Sequence, residues 1–376
     1  MSGTTERSVA VNLLWCVPGE VGGSEHYLVR QLVGLATQSS GFALTLYCLP
    51  EFVDAHPELA DIYAIVTAGI DGAARPTRVT YENTWLARQT RDAALVHHGG
   101  GTTPMIGTRP IVLTIHDLQY LTYPGYLSRG KLAYLRAAIP RAVRRADIVA
   151  VPTEYVKATV TRKFEVDPDR VVIVPHGVEP SLGADAPSES ALRREYGLGE
   201  GRVLVFPAIT HPHKGHRFLL DVMAEHWDDP DLKLVLLGGA GQVEAEVNEQ
   251  ISNLGLERRV VRTGRVSEAY RDGLVALASA LVFPSEYEGF GAPAVEAMAL
   301  GTPVICSDLP ALVEVTGGAG IVLPQDIDAW SDALDQLDTR SGEMVLAGIE
   351  RAREYTAAKS GAGLREAYLA ALGDRS

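Results

Sequence analysis

A chain of 376 residues with 46% hydrophobic and 22% charged residues has an ordinary globular composition, long for one core and comfortable for two. Its formal net charge of −13 argues against a general nucleic-acid binder, which needs a basic footprint. The three cysteines, Cys16, Cys48 and Cys306, are widely spaced; they suggest buried thiols in a reducing cytosol, with no disulfide framework or zinc site.

Apolar runs alternate with helical patterns along the chain. The first run, residues 9–15, is broken by Asn12 and followed by a glycine loop, so it reads as a strand and not as a signal peptide. No apolar run approaches the ~18 residues of a membrane span. Further strands are expected at 43–47, 95–97, 111–115, 148–151 and 171–174, then at 203–206, 234–237, 260–262, 281–283, 304–306 and 321–323. A helix is expected over 242–254, with Val243, Val247, Ile251 and Leu254 on one face and Gly255 closing it. Short continuous apolar strands separated by helices imply parallel sheets covered on both faces. The breaker-rich stretch after Glu179 reads as a linker. The expected domains are therefore 1–178, a linker 179–198, and 199–356, each α/β and doubly wound, with ligands between them at the carboxyl ends of the strands.

Several loops carry candidate chemistry. After the first strand come Gly22, Gly23 and Ser24, a glycine turn and a candidate N-cap, followed by Leu28, Leu32 and Leu35 at helical spacing. Amides at such a helix start can hold phosphate; a plain tight turn is the alternative. His116 lies just past strand 111–115, where ligands sit in open α/β sheets, and Asp117 either orients it or caps the next turn. Residues 126–145 carry Arg129, Lys131, Arg136, Arg141, Arg144 and Arg145 with no acidic residue. Leu132, Leu135, Ile139 and Val143 make this an amphipathic basic helix, read first as a solvated face over a core stripe, with anionic lipid or a lipid-phosphate acceptor as the alternative.

In the second half, Lys214 follows strand 203–206 and suits a diphosphate as a flexible point charge. His211, His213 and His216 have no neighbouring cysteine or carboxylate to complete a metal site. Gly239 and Gly241 lack the rest of a dinucleotide fingerprint, because position 244 is Glu. No phosphate-binding Gly-Lys-Ser/Thr occurs, and the Asp-x-Asp pairs at 167/169, 229/231 and 326/328 suggest no dedicated metal site. Metal-independent catalysis without a cofactor is expected.

The densest signal is the stretch from Pro284 to Ile305. A strand leads into a loop of Gly289, Phe290 and Gly291, then a helix with Pro293 in its first turn, stopped by Gly301 and Pro303. Glu288 and Glu296 flank the loop. Its amides can approach a ligand closely while the carboxylates accept hydrogen bonds from hydroxyls, which suits a sugar nucleotide. The bland alternative makes Glu296 a first-turn complement to the macrodipole and Glu288 an ordinary loop carboxylate.

This stretch closely resembles the E-x7-E signature of retaining glycosyltransferases in sequence family 4, and the resemblance covers nearly the whole chain. It implies the GT-B fold, two Rossmann-like domains facing across a cleft, with the last helix crossing back so that 357–376 joins the first domain. It implies that Glu288 contacts the donor sugar and Glu296 the ribose, that Gly22 and Gly23 touch the donor phosphates, and that His116 contacts the transferred sugar. It also implies that the backbone around Gly264 and Val266 seats the base. Many members add an arginine a few residues before the lysine; here Ala208, Ile209, Thr210 and His211 stand instead, as in a subgroup with Pro-His-Lys, where His211 or His213 replaces part of that charge.

The resemblance thus implies a cytoplasmic hexosyltransferase in glycan or glycolipid biosynthesis, attached at most peripherally to the inner membrane face. It would use a nucleotide diphosphate sugar, GDP-mannose slightly favoured, and an acceptor that is lipid-linked or an oligosaccharide. A GT-B nucleotide-sugar epimerase and a non-catalytic binder are the rival readings.

Overall fold

The computed structural model describes residues 6–38 and 41–373. The chain divides into two compact units, Met1–Gly177 with Thr356–Ser376, and Val178–Tyr355. Among the described residues the first unit holds strands β1 (Arg7–Asn12), β2 (Phe42–Cys48), β3 (Ala64–Thr67), β4 (Leu95–His98), β5 (Ile111–Thr114), β6 (Ile148–Val151) and β7 (Val171–Ile173). The second holds β8 (Val203–Pro207), β9 (Lys233–Leu237), β10 (Val260–Gly264), β11 (Ala280–Phe283), β12 (Val304–Ser307) and β13 (Ile321–Leu323). All pair in parallel, in the orders β3-β2-β1-β4-β5-β6-β7 and β10-β9-β8-β11-β12-β13. The helices used below are α1 (Gly23–Ala36), α2 (Arg129–Arg145), α3 (Glu189–Glu195), α4 (His216–Glu225), α5 (Glu244–Asn253), α6 (Glu268–Leu277), α7 (Ala292–Ala299), α8 (Ala333–Ala352) and α9 (Ala357–Ala371).

Both faces of the first sheet are covered, and the strand alternation shows it. Ile111 and Leu113 of β5, with Val149 and Val151 of β6, join the cluster containing Ile139 and Val143 of α2. Val112, Ile148 and Ala150 point the other way, into the cluster containing Leu28 and Leu32 of α1 and Leu364 of α9. Unit two has one large core in which Phe206, Leu234, Leu281 and Ile305 are almost fully buried.

Three sequence expectations need correction. The edge strand β3 escaped notice because its four residues are half exposed and give little apolar signal. Helix α5 is shorter than 242–254: Val247 and Ile251 are buried, whereas Leu254 is 38% exposed. The stretch 179–198 is part of the second unit and not a free linker. Ser188 caps α3 by accepting from the Ala191 N–H, Leu192 is fully buried in the core, and Asp272 of α6 accepts from the Gly183 N–H at 3.1 Å. The serines and glutamate that resemble a loop are a helix cap and first turn.

Helix α9 returns to the first unit and lies along α1 where both backbones are bare. A Cβ on Gly361 would come within 2.2 Å of the Gly34 carbonyl carbon, and one on Gly34 within 1.7 Å of the Ala357 oxygen. The Tyr368 hydroxyl then meets His97 Nδ1 at 2.9 Å, and His97 Nε2 meets Thr114 Oγ1 at 2.8 Å, tying α9 to β4 and β5. Gly361→Val should destabilise the protein by about 2 kcal/mol or more through forced separation of these helices. A thermal midpoint equal to that of the native protein would contradict the close crossing.

Candidate functional site

Each sheet reverses its strand order once, between β1 and β4 and between β8 and β11. Crossovers leave such a point for opposite faces, so the carboxyl ends of those strands border an uncovered crevice. Most candidate residues lie at or beside these two points, whereas Val266 follows the edge strand β10.

In the second unit, Lys214 follows β8 and Glu288 follows β11. Lys214 Nζ donates to Glu288 Oε1 at 2.7 Å, and the ammonium lies 5.7 Å from the centroid of the Phe283 ring. The two loops are stitched together beneath this pair: the Glu286 N–H donates to the His213 carbonyl at 2.8 Å, and Gln325 Nε2 to the Pro284 carbonyl at 3.0 Å. Gly215 adopts φ 78°, and a Cβ there would sit 2.1 Å from the Pro284 oxygen, so glycine is required on both counts. Gly291 precedes α7 with φ 95°, and no side chain caps that helix start. The Phe290 ring is buried edge-on to Tyr355, so the residue faces the core and offers a ligand its backbone.

Glu296 lies past the first turn of α7, which removes the macrodipole explanation. It acts on Arg271 of α6. Burial pulls the Arg271 guanidinium down, but Glu296 and then Asp272, at 2.8 Å, outweigh this and raise it. Val266 follows an irregularity between Arg262 and Gly264 at the end of β10, where the Gly238 N–H donates to the Gly264 carbonyl at 3.0 Å.

The surroundings of His213 favour its neutral form. Burial, and then the Lys214 charge, push its imidazole down to about 3. His216 is likewise held at about 4 by burial and by Arg262. Arg262 itself is bound bidentately by Glu244 at 2.7 and 2.8 Å, and Glu244 also accepts from Thr210 Oγ1 at 2.7 Å. Arg265 lies across Gly239, where a Cβ would come within 2.9 Å of its Nε. Among the described residues no group of three His, Cys, Asp or Glu side chains is arranged to hold a metal ion.

In the first unit, the N-cap of α1 is Gly22 (φ 62°), not Ser24. A Cβ on Gly22 or Gly23 would meet nothing within 4 Å, so open space adjoins these amides at the helix start. Glu25 turns inward and accepts from the Gly19 N–H at 2.8 Å. His116 Nε2 lies 2.8 Å from the Gly99 carbonyl, so that nitrogen carries the proton and donates. Burial keeps the ring neutral, holding it at about 4 against the opposing pull of Gly99. Nδ1 is then an acceptor, and among the described residues neither it nor the buried Trp15 Nε1 has a hydrogen-bond partner. The Trp15 and Tyr27 rings pack on His116 at 5.7 and 5.3 Å. Asp117 caps the next turn, accepting from the Gln119 N–H at 2.8 Å.

Residues 21–182 match the family model Glycosyltransferase Family 4, and residues 188–355 match the model of glycosyl transferases group 1. The O-antigen chain mannosyltransferase RfbU of Salmonella typhimurium is 30% identical over 263 residues, covering 69% of this chain and 67% of its own. The chain belongs to glycosyltransferase family 4. The O-antigen chain mannosyltransferase B of Escherichia coli is 28% identical over 279 residues, 72% of this chain and 73% of the relative. Among solved structures, Anabaena HepE, crystallised in complex with UDP and glucose, has a TM-score of 0.75 at 20% identity, covering 95% of this chain and 98% of that one. Two Rossmann-like parallel sheets of this kind make the fold GT-B, and the chain is a hexosyltransferase.

Sequence reasoning about this glycosyltransferase missed Trp15, Tyr27, Arg265 and the glycines at 99–101. The run His97-His98-Gly99-Gly100-Gly101 was the available signal. A Cβ on Gly100 would come within 2.4 Å of the Trp15 ring, so bare backbone at the end of β4 lets Trp15 and His116 meet. His116 should titrate near pH 4. Because its folded value lies below the unfolded 6.5, the unfolded chain binds more protons between them, and stability falls on acidification. His116→Gln should remove about 2 kcal/mol of the stability lost between pH 7 and pH 5, read from urea midpoints. An equal acid loss in both proteins contradicts the buried neutral ring.

Proposed function

We propose that the transferase moves a hexose, with mannose favoured, from a nucleotide diphosphate sugar to an acceptor hydroxyl with retention of configuration. The observation that carries this reading is the Lys214–Glu288 contact of 2.7 Å at the β8/β11 switch point. A cation and a carboxylate that neutralise one another there can part for a donor, Lys214 going to the diphosphate and Glu288 to sugar hydroxyls. The C1–phosphate bond breaks, the acceptor oxygen bonds C1 on the same face, and its proton leaves with the departing phosphate oxygen. In the second unit Lys214 stabilises the charge that develops on that phosphate, and in the first unit the amides of Gly22 and Gly23 offer N–H groups to phosphate. His116 Nδ1 accepts from a sugar hydroxyl, Glu296 from the ribose, and the backbone near Val266 takes the base. Arg265 supplies part of the charge that the histidines do not. No resident metal is needed on this reading.

Support for mannose comes from the names of the Escherichia coli and Salmonella relatives, and support for a nucleotide-sugar donor from UDP in HepE. In a panel of GDP-, UDP- and dTDP-sugars, the donor should raise the unfolding midpoint, by about 2.7 kcal/mol of stability at a hundred times its Kd. Glu288→Ala should lower turnover of that donor at least about tenfold. Full activity in this variant overturns the site, while an epimerised donor formed without acceptor overturns transfer.

A peripheral contact with anionic membrane is a second reading, favoured by one observation. Arg141 and Arg145 do not point to solvent as a basic face: they donate to the carbonyls of Thr103, Met105 and Gly107. The loop they fasten presents Met105 and Ile106, 61% and 60% exposed, at the end of α2 that carries the exposed Arg144. Among the described residues no helix is long and apolar enough to cross a membrane. Vesicles with anionic lipid should float the protein in a salt-sensitive manner, and Met105→Asp with Ile106→Asp should abolish this; flotation unchanged by the pair removes the reading.

A further inference from the structure

Glu25 stands out as a carboxylate 5% exposed whose oxygens reach two different segments. Oε2 accepts from the Gly19 N–H at 2.8 Å, three residues before Gly22, and Oε1 lies 2.8 Å from His56 Nε2. His56 sits at the junction of the short helices Pro50–Ala55 and Pro57–Ile62, its ring against Phe52 at 4.8 Å. Its other nitrogen, Nδ1, lies 3.3 Å from Glu58 Oε1. A neutral imidazole can donate to only one of two flanking carboxylates, so this geometry calls for an imidazolium.

We propose that Glu25 and His56 are positioning residues for the glycine turn: the carboxylate holds Gly19, the imidazolium holds the carboxylate, and Gly22 and Gly23 are thereby presented as a fixed pair of amides. The inference rests on the donor-phosphate role proposed above for those two glycines. Neither side chain touches substrate. A Cβ on Gly22 or Gly23 would meet nothing within 4 Å, and the turn is held from Gly19 on one side and from the start of α1 on the other.

Charge follows the same geometry. Burial pushes the Glu25 carboxyl up, but the His56 and Gly19 hydrogen bonds and the charges of His56 and His26 leave it below the usual range. Burial pulls His56 down, but Glu25 and then Glu58 leave it raised above 6.5. The Cys16 thiol, which Glu25 helps to push up, is the further titratable group facing the pair. The lowered carboxyl contributes above the ordinary carboxylate range and is lost as pH falls through its folded value. The raised imidazole contributes below 6.5 and is lost as pH rises through its folded value. The couple is therefore intact from weakly acidic pH to neutrality and opens on the alkaline side.

The test is calorimetric binding of GDP and UDP, with KM and kcat for donor hydrolysis. Glu25→Ala should weaken nucleotide binding about tenfold with a matching rise in KM, whereas Glu25→Gln, which keeps an acceptor for Gly19, should stay within about threefold. A merely structural role would lower the active fraction, and so kcat, and leave Kd unchanged. His56→Gln keeps a donor to Glu25 without titrating, so the ratio of native to variant affinity should fall as pH rises above neutrality. Lys214→Ala serves as the control. If Lys214→Ala weakens binding while folded Glu25→Ala binds within about twofold of native, the positioning role alone is overturned. A pH-independent ratio overturns it equally where Glu25→Ala does not fold. A native protein that binds neither nucleotide overturns the donor reading and this inference together.

Discussion

A helix that packs on one face of a parallel sheet cannot also close the gap beside a strand whose crossover departs for the other face. Each unit contains one such gap, set by the central strands β1 and β8, which have neighbours on both sides that lead away in opposite senses. Everything chemically distinctive in this chain depends on that constraint. The loops after β1 and β4 carry Trp15, Gly22, Gly23 and Gly99; those after β8 and β11 carry Lys214 and Glu288. The fold leaves these carboxyl ends uncovered by topology, without any special sequence at the strand ends themselves.

Filling such a gap with reactive side chains requires backbone that crosses closely. At Gly215 the approach of the Pro284 oxygen excludes a Cβ, and at Gly100 the Trp15 ring does so. Gly291 needs its positive φ and also clears Leu312. These glycines bring paired loops near enough for main-chain hydrogen bonds, such as Glu286 to His213, to lock the side chains they carry. The Lys214–Glu288 contact is consequently a product of loop stitching as much as of attraction between charges. The side chains of the pair are only 21% and 12% exposed, so the loops that carry them decide its geometry.

Much of this was legible. Twelve short apolar runs marked the strands because strands buried on both faces must be continuously apolar, and the E-x7-E stretch displayed its strand, glycine loop and helix directly. What failed did so for physical reasons. Strand β3 is a half-exposed edge with no core signature. Ser188 and Glu189 resemble a loop because the residues that cap helices are the residues that populate turns. Ser24 resembled an N-cap because spacing does not reveal that Gly22, with its positive φ, already starts the helix. Trp15 and the glycines at 99–101 are meaningful only once β1 and β4 are adjacent, and adjacency of strands far apart in sequence is not a local property.

The protonation states divide the two gaps chemically. Around β4 and β5 the histidines His97, His98 and His116 are neutral because burial outweighs everything else acting on them. Neutral rings in fixed tautomers are hydrogen-bonding groups, suited to hydroxyls. Around β8 and β11 His213 and His216 are neutral as well, but there Lys214 and Glu288 supply opposite charges at contact distance. In a chain of −13 an unpaired cation cluster would be easy to satisfy with the protein's own carboxylates, and Arg262, taken up by Glu244, shows that outcome. On the proposed reading Lys214 escapes it because its partner has work of its own: a donor that gives Glu288 hydroxyls and Lys214 a diphosphate satisfies both at once. On that reading a bare anion would separate the pair and leave a largely buried carboxylate without its cation, so the pair favours a sugar-bearing nucleotide over a simple phosphate.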